Sequence, residues 1–276
     1  MGEIAPLAGA TIVIPVYNQL RFTRQCLASL NAAGYADALI VVVDNASTDG
    51  TAEFLATRPR LRVITNRQNR ACAAAWNQGF QARRTPWTVF LNNDTVLPPG
   101  WLESLIAFAE QNGLGVASPA MSEGELDYDL NTFARTFTAR MKNVARRGTA
   151  SGACFLVARP VFAIAGGFDE NFTRGGHEDD DFFMRVRAAG FQLAASGSAY
   201  IHHYGSMTRR AVALERGSSR AETVGYFRQK WKLNWARRRW LRLGRKFREV
   251  WWAWSERLRH GCTLRVHRQN GRQFFR

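Results

Sequence analysis

Short apolar runs alternate with amphipathic segments through the first half of the chain. The runs, rich in β-branched residues, predict strands at 11–16, 39–43, 61–64, 87–91 and 116–118. Apolar residues at helical spacing predict helices capped by Asn18, after 47–49, over 71–82 and over 99–111. The run 39–43 is apolar throughout, as in a strand buried on both faces. This alternation predicts a single α/β, Rossmann-like domain with a mainly parallel central sheet.

The pattern weakens in the second half of the chain. Residues 120–150 show no strong period and are predicted to form a loop region. Beyond them we expect a strand at 153–157, helices at 160–165 and 180–189, and short strands at 191–195 and 199–202. Acidic residues at the start of the 180–189 helix suit its dipole.

Charge and tryptophan divide the chain near residues 205–220. The 276-residue chain has a net charge of +16, and its positive and negative side chains balance over residues 1–208. The whole excess, with six of the nine tryptophans, lies in residues 209–276. This predicts a globular domain at 1–208, with halves of about 10–120 and 120–208, followed by a basic, Trp-rich helical tail.

The tail contains an amphipathic pattern within residues 226–259. Apolar residues recur at helical spacing on one face, with most arginines elsewhere, and they are Leu243, Phe247, Val250, Trp251, Trp254 and Leu258. Such a helix suits an anionic membrane surface. The helix could instead pack on the globular domain or on a second copy of the chain, which would give a homo-oligomer. Nucleic acid is a less favoured partner, because no recognised nucleic-acid module accompanies the basic charge.

Composition narrows the compartment and the class of protein. The four cysteines are widely spaced, which favours reduced thiols over disulfides or a cysteine zinc site. We see no signal peptide and no run of about 18 apolar residues. We therefore expect a cytoplasmic protein, peripheral on the inner face of the membrane if its tail binds lipid.

The motif G-x-G-x-x-G is absent after the first strand and G-x-x-x-x-G-K-[ST] is absent throughout, which counts against dehydrogenases and phosphate-loop enzymes.

Acidic residues follow several of the predicted strands or open a predicted helix, and ligands of open α/β sheets bind at the carboxyl ends of strands. One carboxylate could accept a hydrogen bond from a nucleotide base. A second could hold a divalent cation beneath a diphosphate, and a third could deprotonate an acceptor hydroxyl. Asp44, Asp94 and Asp179 could fill these roles in that order. Taken singly, the same residues could be ordinary turn and helix-start residues.

Seven segments in order resemble the family 2 glycosyltransferases, which have the GT-A fold. They are IVIPVYNQ (12–19), VVVDNASTDGT (41–51), NRQNRACAAAWNQGFQ (66–81), VFLNNDTVLPPGWLE (89–103), SGACFLVARPVFAIAGGFDENF (151–172), GGHEDDDFFMRVRAAGFQ (175–192) and IHHYGSMT (201–208). The resemblance covers roughly residues 10–230. It implies an inverting glycosyltransferase that uses Mg²⁺ or Mn²⁺. The enzyme would move a sugar from a nucleotide-sugar donor to a glycan or lipid-linked acceptor, with the nucleotide bound by the 10–120 half and the acceptor by the 120–208 half.

The resemblance also implies roles for individual residues of the donor site. Pro15, Tyr17 and Asn18 would line the nucleotide site, and Asp44 would contact the base. The other expected donor-binding residues are Asn69, Arg70, Asn77, Asn92 and Asn93.

Metal binding and proton transfer fall to other motifs of the resemblance. Asp94 ends the segment that matches the family's D-x-D motif and would hold the metal. Glu178 and Asp179 match its E-D motif, which makes Asp179 the general base. His203 matches a histidine that binds the metal or the diphosphate, with His202 as the alternative.

Two departures from the family pattern concern the donor site. Asn92 replaces the first acid of D-x-D, which lowers the local negative charge; N-N-D is found in rhamnosyltransferase-like members and favours a UDP- or dTDP-linked donor. Arg70 stands where the family usually has glycine (N-x-G), and it could reach the donor phosphates or block the site.

Two other functions remain as alternatives. One is a nucleotidyltransferase on a related fold, although the chain lacks a Gly-rich loop bearing lysine. The second is a non-catalytic membrane- or nucleic-acid-binding protein on a degenerate transferase scaffold.

Overall fold

The computed structural model describes residues 9–275 except 36, 174, 209–211, 213–219, 270 and 271. The strands of its central sheet are β1 (Ala10–Val16), β2 (Ile40–Asp44), β3 (Arg62–Thr65), β4 (Trp87–Leu91), β5 (Thr95–Val96), β6 (Val116–Gly124), β7 (Ala145–Arg147), β8 (Cys154–Ala158), β9 (Leu193–His203), β10 (Arg265–Gln269) and β11 (Arg272–Phe275). The helices are α1 (Leu20–Ala32), α2 (Thr51–Ala56), α3 (Ala71–Ala82), α4 (Trp101–Gln111), α5 (Leu130–Met141), α6 (Arg159–Ala165) and α7 (Glu178–Ala188), followed by Arg220–Lys230 and by Trp235–His260, which we call the long helix. The predicted boundary near 205–220 falls largely outside the described residues, so the division at 208 stays a prediction.

The sheet has a parallel half and a mixed half. β3, β2, β1 and β4 lie side by side and run parallel. β8 then runs antiparallel between β4 and β6, whereas β9 and β10 both pair with β6 in parallel. All of β2 is buried, as expected of a strand covered on both faces. The predicted α/β fold with a mainly parallel sheet is confirmed.

Alternate residues of β1 enter two different cores, one on each face of the sheet. Ile12 and Ile14 pack in a cluster that includes residues of α1 and α4. Val13 packs in a second cluster with residues of α3 and α7. The sheet is therefore the middle of three layers, and loops at its edge are the places left for a ligand.

The start of α1 differs from the prediction that Asn18 caps it. Asn18 and Gln19 both have left-handed backbone, with φ of 53° and 62°, and the cap position is Gln19. The Leu20 N–H at the first turn donates instead to Asp49 Oδ2 at 2.9 Å, a carboxylate from the loop after β2. A helix end can take its capping group from a distant part of the chain, which local sequence patterns do not reveal.

The 120–150 segment, predicted to be a loop region, contains regular structure. β6 continues to Gly124, α5 follows, and β7 ends the segment. Asp129 caps α5, its Oδ1 accepting from the Thr132 N–H at 2.6 Å. The two short strands predicted at 191–195 and 199–202 are likewise one strand, β9, which pairs with β6 through a register shift at Pro119/Ala120.

The C-terminal region is helical over much of its length, as predicted, but it also adds strands to the sheet. β10 lies parallel to the end of β6, with Arg265 opposite Met121. A buried ion pair fixes the long helix to β7, because Arg146 Nε and Nη2 donate to the Glu256 carboxylate at 2.8 Å each. Glu256 Oε2 also accepts from the Leu264 N–H at 2.9 Å, just before β10. The helix and the added strand are therefore held by one carboxylate.

The apolar stripe predicted in the tail lies on the outside of the long helix. Its six residues are more than half exposed, namely Leu243 (56%), Phe247 (73%), Val250 (68%), Trp251 (53%), Trp254 (56%) and Leu258 (70%). Glu256, on the opposite side of the helix, is 5% exposed. The helix therefore packs on the globular domain, as one of the alternatives expected, through the side that carries Glu256, while the stripe faces outward.

Replacing Glu256 by Gln should lower the free energy of unfolding by about 3 kcal/mol, because the buried Arg146 guanidinium would lose its counter-charge. Denaturant unfolding of both proteins measures this difference. Glu249→Gln, one heptad earlier, is the matched control: its contact with Arg245 is 3.9 Å long and exposed, so the change should be below about 1 kcal/mol. Equal effects of the two substitutions would contradict the role given to the buried pair.

Candidate active site

The loops after β1 and β2 are tied together at one edge of the sheet. Asn18 Oδ1 accepts from the Thr48 N–H at 2.7 Å, and the Asn18 N–H donates to Ser47 Oγ at 2.8 Å. Pro15 and Tyr17 are half-buried beside this junction, where the sequence placed them. The loops thus form one wall rather than two independent turns.

Asp44 combines deep burial with one free acceptor. The residue is 1% exposed, and its Oδ1 accepts from the Ser47 N–H at 3.0 Å and from Ser47 Oγ at 2.6 Å. Asp44 Oδ2 is buried without a hydrogen-bond partner in the described part of the chain. Buried carboxylate oxygens are normally paired, so this atom is set to accept from a bound N–H or O–H donor.

A buried amide network fixes the beginning of α3 against the end of β2. Asn66 Nδ2 donates to Asn45 Oδ1 at 2.8 Å, and Asn66 also exchanges hydrogen bonds with Gln78. Asn45 Nδ2 reaches the Ala71 carbonyl at 3.2 Å. Asn45 and Asn66 are not among the predicted site residues. Asn45 directly follows Asp44 and Asn66 lies three residues before Asn69, and these positions are the sequence features that could have identified them.

The backbone around Asn69 corrects the view that Arg70 takes the place of glycine. Arg70 has φ of −92°, which suits any residue, whereas Ala71 has φ of 64°. The left-handed position, where glycine would be relaxed, is therefore Ala71. Asn69 Oδ1 accepts from the Ala71 N–H at 2.9 Å and supports this turn, so we assign Asn69 a positioning role.

Arg70 and Asn77 both reach the segment ahead of the acidic motif. Arg70 Nη2 lies 3.2 Å from Glu170 Oε2, with both side chains nearly half exposed. Asn77 Nδ2 donates to Glu170 Oε1 and to the Phe168 carbonyl, both at 2.9 Å, and its Oδ1 accepts from the Phe168 N–H. Asn77 therefore clamps this segment to α3, and its role in donor binding stays a prediction.

Asp94 and His203 form a buried pair at the ends of β4 and β9. His203 Nε2 lies 3.2 Å from Asp94 Oδ1, and Asp94 Oδ2 accepts from the Met207 N–H at 2.8 Å. Burial opposes ionisation of both groups, but their mutual attraction lowers the pKa of Asp94 and raises the pKa of His203. Strand register explains the meeting, because β5 pairs with β9 so that Thr95 stands opposite His203.

This pair fits a divalent cation whose remaining ligands come from elsewhere. The described residues contain no group of three or more His, Cys, Asp or Glu that could hold a metal ion unaided. A carboxylate oxygen and an imidazole nitrogen 3.2 Å apart match two neighbouring positions around one ion with bonds of about 2.1 Å. Mg²⁺ and Mn²⁺ accept oxygen ligands and commonly keep waters and phosphate oxygens, so two protein ligands suffice.

The neighbours of this pair separate into structural and available side chains. Asn93 is buried, and its amide binds Thr23 and Thr208 at 3.0 Å each, so it is held within the fold and its contact with the donor stays a prediction. The Asn92 side chain is half-buried and makes no hydrogen bond to another described residue, so it is available to a ligand.

The alternative metal ligand, His202, is fully buried and uses both ring nitrogens within the fold. Its Nδ1 lies 3.1 Å from the Tyr128 hydroxyl and its Nε2 lies 3.1 Å from the Gly124 carbonyl. Burial lowers the pKa of His202 to about 4, so it is neutral at physiological pH. Between the two histidines, the geometry favours His203.

The four consecutive acids at the head of α7 have separate partners. Asp180 Oδ2 lies 2.8 Å from His177 Nδ1. Asp181 is fully buried and accepts from three groups, which are Arg185 Nε, Lys230 Nζ and Trp231 Nε1. These two acids are engaged within the fold. Glu178 and Asp179 are left to face the site.

The pKa values of Glu178 and Asp179 are both raised. Burial, with the charge of Asp179, raises the pKa of Glu178 to about 7, and Glu178 Oε2 is buried without a partner in the described chain. Burial and the charge of Asp180 raise the pKa of Asp179 to about 6. Such values suit a group that accepts a proton near neutral pH.

Asp179 lies between the first turn of α3 and the loop before β8. The charges of Glu178 and Asp179, added to burial, raise the pKa of Cys72 at the start of α3. On the other side, the Asp179 carboxylate packs directly on Gly152, where any Cβ would collide with it. The next residue, Ala153, accepts from the Asn92 N–H at 2.9 Å. Asp44, Asp94, His203 and Asp179 therefore surround one edge of the sheet.

Comparisons with known proteins show which family and which fold the chain resembles. The sequence matches the family described as Glycosyl transferase family 2 over residues 11–214. The chain is 28% identical over 204 residues to the pre-mycofactocin glycosyltransferase of Mycobacterium tuberculosis, covering 70% of this chain and 42% of that protein. It is 24% identical over 249 residues to the uncharacterized protein y4gI of Sinorhizobium fredii, covering 80% of this chain and 27% of that protein.

A solved structure shows the same fold. GalNAc-T7, crystallised with UDP, GalNAc and Mn²⁺, matches with a TM-score of 0.58 and 15% identity, over 71% of this chain and 44% of that one. At that identity the likeness establishes the GT-A fold alone. The chain spans less than half the length of each of these three proteins.

Proposed function

This chain belongs to glycosyl transferase family 2, and we propose that it transfers a sugar, with inversion, from a UDP- or dTDP-sugar to a hydroxyl of a glycan or lipid-linked glycan. The observation that carries the proposal is the convergence of a free buried acceptor on Asp44, the Asp94–His203 pair and the raised pKa of Asp179. Each group suits one part of a nucleotide-sugar reaction.

The donor would bind across the loops after β1 and β2. Asp44 Oδ2 would accept a hydrogen bond from an N–H of the base, since its partner Oδ1 is already engaged by Ser47. Pro15, Tyr17 and Asn18 would line the nucleotide. Asn92 would meet the sugar or diphosphate, and Arg70 could turn from Glu170 toward the phosphates because both side chains are nearly half exposed.

Asp94 and His203 would hold Mg²⁺ or Mn²⁺ beneath the diphosphate. The ion, when bound, neutralises the charge that develops on the departing nucleoside diphosphate. The protein would keep Asp94 ionised and oriented through the Met207 N–H. A ligand set with one carboxylate gives the ion a modest affinity, so we expect the donor to complete its coordination.

Asp179 would act as the general base. Its carboxylate would take the proton from the acceptor hydroxyl as that oxygen attacks the anomeric carbon, opposite the departing diphosphate, which inverts the centre. Glu178 would stand behind it, and the repulsion between the two acids helps to keep the pKa of Glu178 high.

A donor screen tests the proposed activity. With Mg²⁺ or Mn²⁺ and a panel of UDP-, dTDP- and GDP-sugars, we expect metal-dependent release of nucleoside diphosphate from one donor. Asp94→Ala should reduce this release by at least about 100-fold, because it removes an electrostatic support of the leaving group. Asp37→Ala, which breaks a salt bridge with Arg58, is the control and should retain full release. Turnover of nucleoside triphosphates and sugar phosphates instead would indicate nucleotidyl transfer. No turnover of any donor would favour the degenerate scaffold.

The pH dependence of transfer tests the base. Asp179 must be ionised to accept a proton, so kcat/KM should fall as pH drops through about 6, above the range of an ordinary aspartate. Asp179→Asn should lower transfer by about 100-fold or more while leaving donor affinity within a few-fold. An Asp179→Asn enzyme with normal transfer, or a profile flat through pH 5–6, would refute this assignment.

We also propose that the long helix attaches the enzyme to an anionic membrane surface, on the inner face of the cytoplasmic membrane. No helix among the described residues is both long enough and apolar enough to cross a bilayer. The exposed stripe instead suits a helix that lies in the interface. At 100° per residue, exposed basic side chains flank the stripe on both sides, namely Arg239, Lys246 and Arg257 on one and Arg237, Arg248 and Arg259 on the other.

Vesicle sedimentation tests this attachment. We expect binding to vesicles that contain phosphatidylglycerol, weaker binding to phosphatidylcholine alone, and loss of binding at high salt. Replacing Trp251 and Trp254 by Ser should weaken binding at least about ten-fold, because two exposed apolar rings lose their burial in lipid. Trp235→Ser is the control, since Trp235 is 67% exposed but lies away from the stripe. Unchanged binding in the double variant would contradict the proposal, and a dimer that the double variant dissociates would indicate a second copy as the partner.

A further inference from the structure

A cavity of about 300 Å³ lies between the sheet and the long helix. β6 and the segment before β8 form one side of it, through residues that include Ser118, Glu123 and Ser151. The C-terminal region forms the other side, with Arg245, Glu249 and Trp252 from the long helix and Arg265 from β10. Half of this cavity therefore depends on the part of the chain that follows the α/β domain.

The cavity adjoins the proposed reaction centre on two sides. Ser151, in its wall, precedes Gly152, which packs on the Asp179 carboxylate. Glu123, also in the wall, stands opposite His203 in the register of β6 and β9. Asp179 thus separates this cavity from the first turn of α3, which belongs to the donor side.

The side chains in the cavity suit a neutral polyhydroxylated molecule better than a diphosphate. Two arginines, Arg245 and Arg265, are balanced by two glutamates, Glu123 and Glu249. The third arginine in the lining, Arg146, is neutralised by its buried pair with Glu256. A carboxylate can accept a hydrogen bond from one hydroxyl of a sugar, and a neighbouring guanidinium can donate one to the adjacent hydroxyl.

Two further features support a saccharide. Ser118 is fully buried, and its Oγ has no hydrogen-bond partner in the described chain although it lines the cavity. A buried hydroxyl without a partner is costly unless a ligand or water satisfies it. Trp252 adds an aromatic surface, which can pack on the apolar C–H face of a sugar ring.

We propose that this cavity is the acceptor site, that it takes a neutral saccharide terminus, and that Arg245 and Glu249 of the long helix determine which sugar is accepted. The proposal rests on the transferase activity proposed above, since it assigns the second substrate to the other side of Asp179. Arg245 and Glu249 are specificity-determining residues: they recognise the acceptor and take no part in proton transfer.

The position of the long helix gives this proposal a structural consequence. The side of the helix that lines the cavity is opposite the exposed apolar stripe, and the Arg146–Glu256 pair holds the helix in that orientation. The acceptor pocket exists only while β10 and the helix remain docked. A chain truncated before residue 220 would keep the donor loops and lose one wall of the acceptor site.

Saturation-transfer NMR with methyl glycosides tests the cavity without a donor. The probes are the methyl α- and β-glycosides of glucose, galactose, mannose and rhamnose, added singly to the full chain. We expect at least one to bind wild type and to bind at least about ten-fold more weakly to the double variant Arg245→Gln, Glu249→Gln, because hydrogen bonds to charged groups are lost. Arg242→Gln is the control, since Arg242 is on the same helix and outside the cavity lining.

The outcomes separate this proposal from the transferase proposal. Glycoside binding that is equal in wild type and in the double variant would overturn the assignment of Arg245 and Glu249. Binding of no glycoside to wild type would overturn the saccharide site. Once a donor is known, a raised acceptor KM in the double variant, with unchanged release of nucleoside diphosphate to water, would support the site. Failure of all donors would count against transfer while leaving the binding result to stand.

Discussion

Parallel pairing of β1 with β2 on one side and β4 on the other decides where chemistry can occur in this protein. Because the three strands run the same way, their carboxyl ends meet at one edge of the sheet. The loops that carry Asn18, Asp44 and Asp94 leave from that edge. The antiparallel pairing of β5 with β9 then returns His203 to the same place from a distant part of the chain. One pattern of strand pairing therefore assembles groups that are more than a hundred residues apart.

Electrostatics at the head of α7 follow from how the fold distributes partners among four adjacent acids. Unpartnered carboxylates so close together would repel one another and resist ionisation. Asp180, which is half exposed, is matched by His177, and the buried Asp181 is matched by Arg185 and Lys230, so each of these two acids has a neighbouring cationic partner. Glu178 and Asp179 form no ion pair of this kind within the part of the chain that the structure describes, and burial raises the pKa of each. The helix that contributes Lys230 thus helps to set which of the four acids have a cationic partner.

Much of the first half of the fold could be predicted from the sequence, because local patterns and tertiary packing agree there. α3 and β4 have the predicted bounds, and β2 is buried as its continuous apolar run indicated. The failures lie where distant partners override local signals. Asp49 replaces Asn18 at the start of α1, and Glu256 draws β10 beside β6 across the width of the domain. No local pattern contains that information.

The same distinction applies to the site residues. Motif position identified Asp44, Asp94, His203 and Asp179 as a group, and the structure brings them to one edge of the sheet. Motif position could not distinguish residues available to a ligand from residues that hold the loops, since both occur within the same motifs. Asn77 and Asn93 lie in motif segments, yet their amides bind the protein itself. Among the described residues, the free oxygen of Asp44 and the unpaired side chain of Asn92 mark the complementary set, which only hydrogen-bond geometry distinguishes.

The long helix shows how one element can serve two surfaces once its rotation is fixed. Its charge and tryptophan content favoured a membrane slightly over the domain or a second subunit. The buried pair of Arg146 and Glu256 removes this freedom, because it turns one side of the helix toward β7 and leaves the opposite side in solvent. A wall of the cavity beside Asp179 and an exposed apolar stripe are then back to back. In the two proposals made above, the Arg146–Glu256 pair would therefore set both the side of the enzyme that meets a membrane and one wall of the acceptor pocket.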